Sequence, residues 1–154
     1  MPKCYQLIGV PGSGKTTWIT NQDWATTCAY ISTDKFVDAY AREVGKTYSE
    51  VFEEFMPRAV ELMTQEVAVA CEAGRDIIWD QTSTTLASRA RKFNMLPGYE
   101  HIAVVFETPD NVELKRRLKS RPGKVIPKRV IETMIEFWDE PSEEEGFSQI
   151  WRAA

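Results

Sequence analysis

The stretch Gly9-Val10-Pro11-Gly12-Ser13-Gly14-Lys15-Thr16 constrains this chain more than any other part of it. It fits the G-x-x-x-x-G-K-[ST] pattern in full. A short apolar run, residues 4–9, leads into it, and a helix is predicted from Lys15. Each element of the pattern has a physical task. The glycines let the backbone wrap an anion, with amide N–H groups pointing inward. The helix adds its positive N-terminal end. The Lys15 ammonium reaches toward β- and γ-phosphates, and the Thr16 hydroxyl suits Mg2+. The plain alternative is a glycine-rich turn, and the strand before and helix after weigh against it. The expected nucleotide-binding set is Gly9, Pro11, Gly12, Ser13, Gly14, Lys15, Thr16 and Thr17.

Strand-like and helical patterns alternate beyond the loop. Residues 29–32, 76–79 and 102–106 read as short buried strands, and 147–151 as a short edge strand. Helical patterns cover 35–44, 86–95, 111–120 and 127–138. Thr47-Tyr48-Ser49-Glu50 has capping-box spacing and opens a long helical segment, which Pro57 is expected to kink or divide and Gly74 to end. The expectation is α/β: a parallel sheet of four to five strands with helices on both faces. The 154 residues suit a single domain, 1–154.

Composition narrows the class further. No apolar run approaches the ~18 residues a membrane helix needs. The start, Met1-Pro2-Lys3, has no signal-peptide pattern, so a cytoplasmic protein is expected. Cys4, Cys28 and Cys71 are far apart and read as small buried hydrophobes. With His101 as the only histidine, a histidine-based metal site or triad is disfavoured. The net charge of −4 is unevenly spread: residues 89–129 hold eleven Lys/Arg against four Asp/Glu, whereas 132–145 hold seven acidic residues and no basic ones. That asymmetry suggests a local anion site on an acidic protein.

Two carboxylates follow predicted strands. Asp34 comes after Ile31-Ser32-Thr33, and Asp80 after Ile77-Ile78-Trp79. Open α/β sheets bind ligands at that edge. Asp34 could take a proton from an acceptor hydroxyl, or simply cap a helix. Asp80 could hold Mg2+ or orient the acceptor, or cap the turn at Thr82. Among the basic residues, Arg117 and Arg121 stand four apart and share a face if the helix persists, giving a candidate lid over a triphosphate.

These features together resemble the kinase domain of polynucleotide kinases, both the phage enzyme and the animal kinase–phosphatase. The likeness runs over nearly the whole chain: the phosphate loop, Ser32-Thr33-Asp34, Asp80-Gln81-Thr82, Ala87-Ser88-Arg89-Ala90-Arg91, the basic segment 115–121, Ile126-Pro127 and Glu145-Gly146-Phe147. The resemblance implies a three-layer P-loop kinase fold with a basic lid, Asp34 as general base, Arg89 helping to order the acidic site, acceptor contacts from Asp34, Lys35, Asp80, Thr82 and Arg89, and Lys15, Arg117 and Arg121 on the ATP phosphates. It also implies Mg2+ at Thr16 and Asp80, and DNA as substrate. Three departures stand out. Ser32-Thr33 replaces the family's Asn-Arg, Val37 stands where the phage enzyme has an arginine, and a kinase without an attached phosphatase domain is expected. Related small phage kinases phosphorylate a hydroxymethyl pyrimidine in DNA, and this chain resembles them too.

Three readings follow. The first is ATP-dependent transfer to a polynucleotide hydroxyl, either a DNA 5′ end or a hydroxymethyl base. The second keeps the fold with a small-molecule acceptor: a nucleoside, sugar or sugar-nucleotide. The third is a nucleotide-dependent switch without acceptor chemistry.

Overall fold

The first strand, β1 (Lys3–Ile8), is buried along almost its whole length because it has neighbours on both sides. In the computed structural model, which describes residues 1–153, five strands form one sheet in the order β2-β3-β1-β4-β5. The others are β2 (Ala29–Ile31), β3 (Ile77–Trp79), β4 (Glu100–Phe106) and β5 (Phe147–Ala153). Every pairing is parallel, with Tyr5 opposite Ile78 on one side and Ile102 on the other. Parallel strands need crossover connections, here helices, and those helices cover both faces. The sheet is thus the parallel α/β sheet of a P-loop kinase fold, at the upper end of the expected strand count.

Strand alternation distributes the core. Cys4 faces a cluster with Ile31, Met63, Val67, Ile77, Trp79 and Leu96, while Tyr5 and Leu7 face Ile78, Val104, Phe106 and the indoles of Trp18, Trp24 and Trp151. The first face belongs to the long helix α3 (Tyr48–Glu72), and the second to α1 (Lys15–Thr20) and a 3₁₀ turn, Asp23–Thr27. The remaining helices are α2 (Asp34–Val44), α4 (Leu86–Met95), α5 (Asn111–Lys119) and α6 (Lys128–Glu136).

Several expectations are corrected. Pro57 neither divides α3 nor ends it. Val51 and Ala59 are buried on either side of it against Val37 and Ala41 of α2, and that packing outweighs one missing N–H donor. The capping box at Thr47 and Glu50 is present. Pro127 is the N-cap of α6, one residue outside it, and that helix ends at Glu136. The edge strand β5 is seven residues long, not a short addition. Cys71 is exposed, unlike Cys4 and Cys28, because it lies on the outward side of the last turn of α3.

Arg89, expected at the acceptor, is wholly buried and lines no part of the cleft. Its Nε donates to Glu145 Oε1 at 2.7 Å, Nη1 to the Ser83 carbonyl at 2.9 Å, and Nη2 to the Asp139 carbonyl at 3.0 Å. Ser83 adopts φ +49°, a left-handed conformation that costs a residue with a Cβ some energy. Arg89 holds that turn from behind, and the turn carries Thr82 and Asp80. Lys92 is also buried, over the Trp79 ring at 5.4 Å, so only Arg91 of this trio faces water.

Removing one partner of a buried ion pair leaves the other charge uncompensated, at a cost of about 3–5 kcal/mol. Arg89→Ala is expected to lower unfolding free energy by about that amount in urea denaturation, and Arg91→Ala to leave it within ~0.5 kcal/mol. Equal, small effects of the two substitutions would contradict the assigned role of Arg89.

Candidate active site

The carboxyl ends of β1, β2 and β3 open into one cleft of about 1750 Å3. That exceeds the roughly 300–1,000 Å3 typical of a single small-molecule pocket, so there is room for two substrates. The phosphate loop lies at its centre because β1 is the middle strand. Gly9 has no room for a side chain: a Cβ there would fall 2.5 Å from Ser13 Oγ and 2.9 Å from Phe106 Cβ. Gly12 has φ +83°, and a Cβ on it would meet Leu114 and Leu118 of α5 at 3.2 and 3.3 Å. The basic helix is therefore packed directly on the loop. The amides of Gly12, Gly14, Lys15 and Thr16 donate to no backbone carbonyl among the described residues, which leaves them to an anion. Ser13 Oγ is buried without a partner.

The Lys15 ammonium folds back onto the carbonyls of Gly9 at 2.8 Å and Val10 at 3.0 Å. Burial pushes its pKa down to about 8, against the opposing pull of the Asp80 and Asp34 carboxylates. Thr16 and Thr17 line the same cleft.

Asp34 and Asp80 both face the cleft, and each is held by a phenol. Tyr48 Oη donates to Asp34 Oδ1 at 2.6 Å, and Tyr30 Oη donates to Asp80 Oδ2 at 2.5 Å. Asp34 is the first residue of α2 while Thr33 is the N-cap, so the carboxylate is not spent on capping. Burial raises the Asp80 pKa, offset by the Tyr30 hydrogen bond and by Lys15. Desolvation and the adjacent carboxylates hold both phenols protonated, as donors. Thr82 lines the cleft and its carbonyl accepts from the Gly9 amide at 3.0 Å, tying the Asp80 turn to the phosphate loop.

The basic segment lies over the loop, but α5 ends at Lys119, so Arg121 lies beyond the helix and does not share a helical face with Arg117. Arg117 Nη1 donates to the Gly12 carbonyl at 3.0 Å and its Nε to Glu113 at 2.8 Å. Hydrogen bonds from Arg116 and Arg117 hold Glu113 down to about 2. Arg121 also lines the cleft and has no ion-pair partner among the described residues. Lys35 does not join them: its ammonium lies 2.5 Å from Glu66 and 2.7 Å from the Tyr30 carbonyl, outside the cleft. A lysine beside a candidate base looked like an acceptor contact, but one residue along a helix turns the side chain by about 100° to another face.

Sequence reasoning missed the far wall. Tyr48, Ser49, Phe52, Glu53 and Met56 of α3 line the cleft, as do Lys124 and Val125. The strap after α5 is fastened to the start of α3. Ser49 N donates to the Gly123 carbonyl at 3.1 Å, and Val125 N donates to Ser49 Oγ at 2.7 Å. The Lys124 ammonium pairs with Asp38 at 3.1 Å and sits 4.6 Å from the Tyr48 ring centre. The 48, 52, 56 spacing was visible as helix periodicity, but nothing local shows that this face looks into a cleft.

Comparison with known proteins agrees with this fold. A candidate kinase from Chloroflexus aurantiacus superposes with a TM-score of 0.71 at 17% identity, covering 99% of this chain and 84% of that one. Shikimate kinase from Acinetobacter baumannii, solved with shikimate, gives 0.56 at 17% identity over 100% and 84%. A chain from the Pnkp1/Rnl/Hen1 RNA repair complex gives 0.65 at 26% identity over 88% of this chain, which spans only 43% of that protein. Among the described residues no helix is long and apolar enough to cross a membrane. A family model described as an AAA domain matches residues 6–141, most of the chain, and the chain belongs to that family.

Proposed function

We propose that this chain is a kinase that moves the γ-phosphate of ATP to an alcohol, with a polynucleotide hydroxyl as acceptor. One observation carries the transfer reading. Two carboxylates, each fixed by a phenol, share one cleft with a phosphate loop and an unpaired arginine. In the step proposed, the acceptor oxygen forms a bond to the γ-phosphorus as the bond to the β-γ bridging oxygen breaks. Asp34 Oδ2, free while Tyr48 holds Oδ1, takes the hydroxyl proton, and ADP leaves. Lys15, Arg117 and Arg121 stabilise charge on the phosphates.

Mg2+ fits the residues present. It is usually held by one or two protein oxygens plus phosphates, and Thr16 with Asp80 supplies one hydroxyl and one carboxylate. Support for a polynucleotide comes from the 26% identity to a chain of an RNA repair complex. A small-molecule acceptor is the second reading, favoured by the engagement of the Lys124 ammonium with Asp38, which takes it from a phosphate chain.

Two outcomes test the transfer reading. Asp34→Asn is expected to lower acceptor-dependent transfer from γ-labelled ATP by roughly 10²–10⁴-fold, the usual contribution of a positioned base, while leaving ATP affinity nearly unchanged. Transfer at near wild-type rate would rule out Asp34 as base.

The second concerns Lys15. Its pKa in the free cleft is about 8, and adjacent phosphates raise it. Above pH 8 the free ammonium is deprotonated and the bound one is not, so ATP binding takes up a proton. Affinity then falls as pH rises, by up to about tenfold per unit. Calorimetric titration at pH 9 in buffers of different ionisation enthalpy is expected to show uptake approaching one proton, lost in Lys15→Arg. Equal heats in both buffers for the wild type would contradict it.

A further inference from the structure

The order of strands divides the cleft into two sides. Glu107 to Asp110 follow β4, and Ala153 ends β5, on one side of the phosphate loop. Asp80 and Asp34 follow β3 and β2 on the other, where α2 packs on α3. The second side is where an acceptor must lie to meet Asp34, and its outer wall is one face of α3. Tyr48, Phe52 and Met56 repeat every four residues along that face, with Ser49 and Glu53 beside them.

The chemistry of this wall is selective. Phe52 is 39% exposed, with its ring centre 5.5 Å from that of Tyr48. The carboxylates of Asp34, Asp80 and Glu53 lie on this side, together with the Arg121 guanidinium, whose charge bears on both Tyr48 and Asp80. Lys124 is engaged with Asp38 and the Tyr48 ring. Glu53 has no ion-pair partner among the described residues. An aromatic and thioether surface favours a flat π-system.

We infer that the α3 face of Tyr48, Phe52 and Met56, with the Glu53 carboxylate beside it, seats a flat heterocycle that carries the accepting alcohol. The ring lies against Phe52 and Met56. A ring N–H or amino group donates to Glu53, which as a carboxylate only accepts. The alcohol then points toward Asp34. This rests on the transfer reading above and narrows it: the unit recognised is a nucleobase with its attached hydroxyl. It arrives either as a free nucleoside or as one exposed unit of a polynucleotide.

The two sources and the recognition itself separate in one assay. The full chain, Mg2+ and γ-labelled ATP are offered thymidine, a 5′-hydroxyl oligothymidylate, and the same oligonucleotide with an abasic 5′ sugar. Duplex DNA bearing 5-hydroxymethyluracil, shikimate and gluconate complete the panel. Label is expected on a base-bearing acceptor, with the abasic end at least tenfold poorer than the intact end where an end is used. Phe52→Ala is expected to raise the acceptor KM by about tenfold or more, within the range for lost base stacking, with the ATP KM unchanged. Phe52→Tyr is expected to restore it, and Glu53→Gln to raise the same KM. Preferential labelling of shikimate or gluconate overturns the inference. So does an abasic end as good as an intact one, or an acceptor KM indifferent to Phe52→Ala. Label on no acceptor, with ATP bound, sinks the transfer reading itself and this inference with it.

Discussion

The site depends on a single close approach, that of the Gly9 backbone to Ser13 and Phe106. A Cβ there would fall 2.9 Å from Phe106 Cβ, and the loop would have to shift away from β4 to admit it. The amide of Gly9 donates to Thr82, so the loop's geometry is shared with the turn that carries Asp80. That turn is pinned in turn by Arg89 through the Ser83 carbonyl. A chain of contacts thus runs from the buried Arg89–Glu145 pair through the Ser83 and Thr82 carbonyls to the phosphate loop.

Electrostatics sets the division of labour across the cleft. Lys15 is desolvated and titrates near 8, yet Asp80 and Asp34 keep it from falling further. Asp80 is raised by burial and held back by the same lysine. Each carboxylate also has a phenol rather than a second cation as its fixed partner. A neutral donor orients an aspartate without neutralising it, so the carboxylate remains available to accept a proton or meet a cation. A salt bridge to Lys35 would have removed that capacity, and Lys35 is instead occupied by Glu66.

Local patterns made much of this legible. The phosphate loop, the capping box at Thr47, α4 at Leu86–Met95 and the two strand-end aspartates all rest on residues close in sequence. What failed was long-range or depended on which way a helix faces. Pro57 looked disruptive because the burial of Val51 and Ala59 against α2 is not visible locally. Arg89 looked like an acceptor contact because its partner Glu145 lies fifty-six residues away. Tyr48 and Tyr30 carry no motif at all, being fourteen and fifty residues from the aspartates they hold.

Tyr48 also shows why the wall and the lid cannot vary independently. Its phenol holds the carboxylate of Asp34, its ring carries the Lys124 ammonium, and its edge begins the aromatic face continued by Phe52. The next residue, Ser49, fastens the strap at Gly123 and Val125. The strap continues back into α5, where Arg117 meets the Gly12 carbonyl. The start of α3 therefore joins the two sides of the cleft mechanically. Movement of the strap away from the phosphate loop draws on the same contacts that place Tyr48 against Asp34. Coupling of this kind needs no long pathway, because one helical turn touches the lid, the candidate base and the acceptor wall at once.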